Sequence, residues 1–259
     1  MNNFSPVYGP VRSWRYGNSL GIDPIGMVSS CSFNCVYCQL GAIEHLSLQR
    51  QVFIPTGAIL TAIEARIKEP LDVITVSGSG EPTLALNLGE IIAGVKDITA
   101  IPLVVLTNGT LLGVPAVRQD LALADEVSVK LDGITTQRLK QINRPISIWE
   151  GEHLWENLQN FRQEYHGKLT IQTMILAPWS EAEEQLYIDR VKALQPQHIY
   201  LNHPRRPKPK GRLIAGRENL TTIEHGSWFQ PIGRDYLGRF AQAIRQEAHL
   251  TVSYVIQQE

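Results

Sequence analysis

The chain's three cysteines all fall within eight positions, as Cys31-Ser-Phe-Asn-Cys35-Val-Tyr-Cys38. Thiolates this close in sequence can point at one centre, which suits a metal ion or an iron-sulfur cluster. No fourth cysteine closes the site. A structural zinc ion takes four protein ligands, whereas a cubane held by three leaves one iron open to a small molecule. His45 could supply a fourth zinc ligand, and buried cysteines can serve as small hydrophobes. The residues downstream favour the open cluster, because a motif gains meaning from its context.

Three short segments follow in order: Ser77-Gly-Ser-Gly-Glu-Pro82, Thr107-Asn-Gly109 and Lys130-Leu-Asp-Gly133. Gly78 and Gly80 allow backbone conformations and close approaches that a side chain would forbid. Backbone amides there, with Glu81, could grip an ammonium and a carboxylate together. Each segment alone also reads as an ordinary turn, and Lys130 as a solvated or paired cation. Their chemistry therefore depends on the elements that place them.

Those elements alternate. Short β-rich runs are predicted at 19–25, 72–77, 103–107, 126–132, 169–176 and 198–202, with helices near 55–68, 87–97, 114–122, 149–165 and 181–194 between them. A helix near 235–248 and a strand at 250–256 follow. This is the pattern of parallel strands joined by crossover helices. It predicts an α/β fold: a partial (β/α)6 TIM-like barrel, open on one side, with a small C-terminal helix-strand addition. With 259 residues, 43% hydrophobic, and no linker or repeat, the expectation is one domain over 1–259, its core at about 19–202 and a C-terminal extension at about 203–259. In such sheets ligands bind beyond the carboxyl ends of the strands, which is where the three Gly-containing segments fall.

The fourth to sixth predicted strands each carry one largely polar face. Glu126, Ser128, Lys130 and Asp132 share one, Thr170, Gln172 and Met174 the next, and His198, Tyr200 and Asn202 the third. If the apolar faces pack on helices, the polar ones line a hydrated cavity inside the barrel, since buried polar groups need partners. Gln172, Tyr200, Asn202 and Arg205 are the candidate substrate-facing groups.

In combination the motifs identify a resemblance. Cys31-x3-Cys35-x2-Cys38, with aromatic Tyr37 before the last cysteine, resembles the signature of the radical S-adenosylmethionine superfamily, over about Leu20 to Asn202. The resemblance implies a [4Fe-4S] cluster on the three cysteines, its fourth iron chelated by the amino and carboxylate groups of S-adenosylmethionine. One electron then cleaves a carbon-sulfur bond, and the resulting 5′-deoxyadenosyl radical takes a hydrogen from substrate. Ser79-Gly80-Glu81-Pro82 is similar to the segment that holds the methionine amino group, with Ser79 in place of the usual first glycine. Tyr37, Gly78, Asn108, Lys130 and Asp132 are implied as further cofactor contacts. Tyr8-Gly-Pro-Val-Arg-Ser13, Ser19-Leu-Gly-Ile-Asp-Pro24 and Asn143-Arg-Pro145 are similar to relatives of the wyosine-type tRNA base synthases. Those synthases hold a second cluster on additional cysteines, which this chain lacks.

Charge adds local information only. The formal net charge is -1, so no global field marks a nucleic-acid binder, but His203-Pro-Arg-Arg-Pro-Lys-Pro-Lys-Gly-Arg212 is a basic stretch that could contact RNA or another anionic substrate. RNA base modification is the first expectation for the reaction. An activase that installs a glycyl radical on a partner protein is the second, and a non-catalytic metal-binding interaction protein the third. A flavodoxin- or ferredoxin-like protein is the expected one-electron donor. With no cleavable leader and no apolar run of membrane length, a cytoplasmic location without membrane contact is expected.

Overall fold

Apolar strands and amphipathic helices alternate in the computed structural model as they do in the sequence. It describes residues 4–149, 153–218, 226–230 and 232–255. The elements are β1 (Val7–Ser13), β2 (Gly17–Ile22), β3 (Ser30–Cys31), β4 (His45–Leu46), α1 (Thr56–Glu64), β5 (Val73–Val76), α2 (Leu88–Ile98), β6 (Leu103–Thr107), α3 (Pro115–Leu121), β7 (Glu126–Lys130), α4 (Thr136–Ile142), α5 (Leu154–Glu164), β8 (Lys168–Met174), α6 (Glu181–Leu194), β9 (His198–Asn202), β10 (Lys208–Pro209), β11 (Gly226–Ser227), α7 (Arg234–Ala248) and β12 (Val252–Tyr254).

One sheet of eight strands, in the order β1-β2-β5-β6-β7-β8-β9-β12, curls into a half-barrel. From β2 onward the strands are parallel, and β1 lies antiparallel on β2. The fold class is the expected one. β5 is buried at all four positions and β6 nearly so, because helices cover one face and the barrel interior the other. The core gathers Ile59 and Ile63 of α1, Ile91 and Ile92 of α2, Phe161 of α5, Ile188 of α6 and Phe240 of α7 against the sheet.

Three expectations need correction. The barrel begins one strand earlier, with β1. The long helix expected over 149–165 is α5 alone, preceded by the separate α4, and Trp149 instead packs edge-on against Phe33 with ring centroids 5.4 Å apart. The terminal strand is no appendage, since β12 joins β9 as a further parallel strand of the same sheet. Its predicted tail beyond residue 255 lies outside the described residues. No helix among the described residues is long and apolar enough to cross a membrane.

α6 opens on a capping box, Ser180 accepting from the Glu183 amide while the Glu183 carboxylate accepts from the Ser180 amide. Arg138 of α4 donates to both carboxylate oxygens of Glu183 at 2.6 Å, and its hydrogen bonds hold the carboxyl down at about 2. A depressed folded value means the stabilisation is complete above the unfolded value near 4.5 and disappears as pH falls towards 2. The Glu183 side chain is 21% exposed, so screening limits the effect. Glu183→Gln is therefore expected to lose about 1 kcal/mol at pH 6 and nothing near pH 2, as urea melts at the two pH values would show.

Candidate active site

The cysteine loop has three walls, each built by backbone contacts. On one side Ser30 donates its amide to the Ser79 carbonyl and accepts from the Glu81 amide at 3.0 Å, so residues 79–81 lie alongside the short strand β3. Gly80 is required there, because a Cβ at this position would stand 1.7 Å from the Ser30 carbonyl oxygen. On the other side the amides of Asn34, Val36 and Ile146 bond to the carbonyls of Asn143, Ile142 and Ser32. The third wall is residues 207–216: Gln39 donates to the Pro207 carbonyl, Leu213 to the Leu40 carbonyl, and Lys208 Nζ to the Cys35 carbonyl at 3.1 Å.

Cys31, Cys35 and Cys38 all line one cavity of about 750 Å³ at the carboxyl ends of the strands. N–H groups are aimed at all three sulfurs: Phe33 N and Asn108 Nδ2 at Cys31 Sγ (3.4 and 3.6 Å), Asn143 Nδ2 at Cys35 Sγ (3.4 Å), and the Leu40 backbone amide at Cys38. Such donors suit sulfurs that carry negative charge. Burial pushes the Cys35 thiol up to about 12 and raises Cys31 and Cys38 too, so the thiols keep their protons until a cationic group replaces them. Among the described residues no three His, Cys, Asp or Glu side chains converge as a single metal ion needs. What the three thiols share is one cavity wall, which is the arrangement a cubane needs, since it takes each thiolate on a different iron. His45 is exposed on β4 and does not line the cavity, so it does not complete a zinc site.

Of the implied cofactor contacts, Tyr37, Gly78, Gly80, Glu81, Asn108 and Lys130 line the cavity. The Glu81 carboxylate is buried, which pushes its pKa up, and it accepts from Thr107 Oγ1 (2.6 Å), the Asn108 amide (2.7 Å) and Thr83 Oγ1 (2.8 Å). It thereby ties the ends of β5 and β6 together. Ser79 and Asp132 stand outside the lining. Ser79 Oγ accepts from Arg212, and buried Asp132 accepts from the Tyr37 hydroxyl, Asn143 Nδ2 (2.7 Å) and the Met174 amide (2.8 Å). Both position the cysteine loop rather than face the cavity.

Of the candidate substrate-facing groups, Gln172, Asn202 and Arg205 line the cavity and Tyr200 does not. Its ring is closed in by Trp14, Tyr16 and His198. The deep polar residues satisfy one another: Thr170 Oγ1 donates to Glu126 and is hydrogen-bonded to Ser128 Oγ, both at 2.8 Å, and Gln172 Nε2 donates to Ser128. Only the residues nearer the carboxyl ends reach the open space. The basic 203–212 stretch is also less available than its charge suggests, since Lys208 bonds to the cysteine loop and Arg212 to Glu44, Met27 and Ser79.

Sequence reasoning missed Arg12, Arg15 and Arg217, which line the same cavity. Arg217 pairs with buried Asp23 at 2.8 Å. With Lys130, Arg205 and Arg206 these make six cations in the lining, against Glu81 as its one carboxylate. Only contacts across most of the chain bring them there.

A family model described as the radical SAM superfamily matches residues 25–189. The chain is 54% identical over 223 residues to a UPF0026 protein of Synechocystis sp., covering 86% of this chain and 84% of that protein. It is 36% identical over 243 residues to a UPF0026 protein of Methanocaldococcus jannaschii, covering 90% and 75% respectively. Among solved structures, SuiB of Streptococcus suis bound to the precursor peptide SuiA superposes with a TM-score of 0.64 at 13% identity. The match takes in 91% of this chain but only 48% of that one, so the likeness is one of fold.

Proposed function

This chain belongs to the radical S-adenosylmethionine superfamily and, within it, to the UPF0026 proteins, and from that premise we propose that it draws a hydrogen atom from an anionic substrate held in the 750 Å³ cavity. The observation that carries this reading is the shared lining: the three cysteines and the six cations face the same space. Cys31, Cys35 and Cys38 would hold a [4Fe-4S] cluster, and S-adenosylmethionine would lie beside it against Tyr37, Gly78, Gly80, Glu81, Asn108 and Lys130. When bound, these groups supply the one-electron chemistry that yields the hydrogen-abstracting species.

The chain's own contribution is placement. Asn108 links the end of β6 to the cysteine loop through Ser32 Oγ (2.8 Å). Residues 207–216 pack against one side of that loop through the Gln39, Leu40 and Cys35 contacts. Lys130 Nζ lies 5.2 Å from the Tyr37 ring centroid and 4.0 Å from Asp132, which raises its pKa despite burial and keeps a positive charge facing the cavity. A tRNA base as substrate, which the wyosine-type resemblance implies, is the narrower form of the same reading. Its support comes from the cavity's cations rather than from Lys208 and Arg212. A flavodoxin- or ferredoxin-like donor would supply the electron.

The test is anaerobic reconstitution with iron and sulfide. A brown protein that releases methionine and 5′-deoxyadenosine from S-adenosylmethionine after reduction is the expected result. A colourless zinc protein that leaves it intact would overturn the reading.

A further inference from the structure

At the end of the half-barrel opposite the cysteine loop, the β1–β2 turn Trp14-Arg15-Tyr16 folds inward. The Tyr16 hydroxyl bonds to Glu126, the first residue of β7, at 2.9 Å, and the rings of Trp14 and Tyr16 both lie 5.8 Å from that of Tyr200 on β9. Trp14 and Arg15 line the cavity that Cys31, Cys35 and Cys38 line from the other end. The turn is thus its floor.

Arg15 is an anomaly on that floor. Nη1 donates to Gln172 Oε1, and among the described residues this is its hydrogen bond. Nε is buried without a partner. The carboxylate whose field reaches Arg15 is Glu126, which is already held by Lys168 Nζ at 2.8 Å and accepts from Tyr16 and Thr170. Gln172 is itself fixed, its Nε2 donating to Ser128 Oγ at 2.8 Å, so its carbonyl end is held towards Arg15. The Trp14 and Tyr16 rings lie 6.0 and 5.6 Å from its guanidinium carbon and offset part of the charge, but a guanidinium withdrawn from water with a neutral amide as its hydrogen-bond acceptor remains costly, and such a charge is retained where a partner arrives to meet it. Its remaining donors form the planar fork that suits two oxygens of a phosphate or carboxylate.

We propose that Arg15, oriented by Gln172, forms an oxyanion-binding subsite on the cavity floor that takes a phosphate or carboxylate group of the substrate. The proposal rests on the reading of this cavity as a substrate site, and it makes the floor the determinant of which end of the substrate reaches the cluster end.

The test is a melting-temperature titration of the reconstituted holoprotein with two probes, inorganic phosphate and acetate, on wild type and Arg15→Met. Wild type is expected to show saturable stabilisation by at least one probe, phosphate if the group is a phosphate and acetate if it is a carboxylate. In Arg15→Met the apparent affinity for that probe falls about tenfold or more. Without anion, the variant melts at or above the wild-type temperature, because a poorly compensated cation has gone. The proposal is overturned if neither probe stabilises wild type, if the variant keeps wild-type affinity, or if it melts lower without anion, which would make Arg15 a structural strut. Reductive cleavage of S-adenosylmethionine by wild type in the same preparation separates the two claims. Cleavage without an anion effect removes the subsite alone, and absence of cleavage removes the reading beneath it.

Discussion

Cys35→Ala, reconstituted without oxygen beside wild type, is expected to lose most of its iron and its visible absorbance, and to cleave S-adenosylmethionine about 10³-fold more slowly, some 4 kcal/mol in barrier. The expectation follows from how little redundancy the site has. The chain has three cysteines, and His45 is exposed and outside the cavity lining. The cavity lining holds no further thiolate to replace a lost one. Asn143 Nδ2 would keep its place, because Asp132 Oδ2 also accepts from it at 2.7 Å, so the loop should survive the loss of the sulfur. Folding and loading can therefore be read separately: circular dichroism near wild type with iron gone is the expected pair of results. Cleavage at the wild-type rate would show that Cys35 does not hold the group that does the chemistry.

The barrel was legible because its signals are local. Asp72 to Ser77, Leu103 to Thr107 and Glu181 to Leu194 show their period or their apolar run within one element, and the structure places β5, β6 and α6 there. The cysteine spacing was legible for the same reason. The hairpin floor was not, since Arg15 meets its partner Gln172 across 157 positions of sequence. Nor did the basic stretch announce its inward turn: Lys208 lies 173 residues from the Cys35 carbonyl it bonds. Charge in a sequence says that a partner is needed, not whether the chain itself supplies it. The polar strand faces show the same ambiguity resolved both ways. Ser128 and Thr170 pair with each other, while Gln172 and Asn202, nearer the strand ends, open onto the cavity. Asn143 carried meaning only through resemblance, yet it bonds to both Asp132 and Cys35 and braces one wall of the loop.

Gly80→Ala should cost nearly as much function as the loss of a cysteine, although Gly80 carries no side chain to take part. The added Cβ would lie 1.7 Å from the Ser30 carbonyl oxygen and 3.1 Å from the Ser30 nitrogen. Both are backbone atoms of β3, which cannot rotate away as a side chain can. Ser30 would have to move, breaking its bonds to Ser79 and Glu81 and shifting Cys31, the next residue. Overpacking of this kind costs about 1–3 kcal/mol where neighbours yield, and more where they are backbone. The main core lies elsewhere, between the sheet and the helices, so the barrel should stay folded while the cysteine loop loses its seat on residues 79–81. The expected result is retained secondary structure with iron uptake down about tenfold or more, in the range by which losing a supporting contact weakens a metal site. A Gly80→Ala protein that fills with iron as wild type does would show that the loop is positioned by its other two walls, and that the close approach of Gly80 to Ser30 is incidental to holding the cluster.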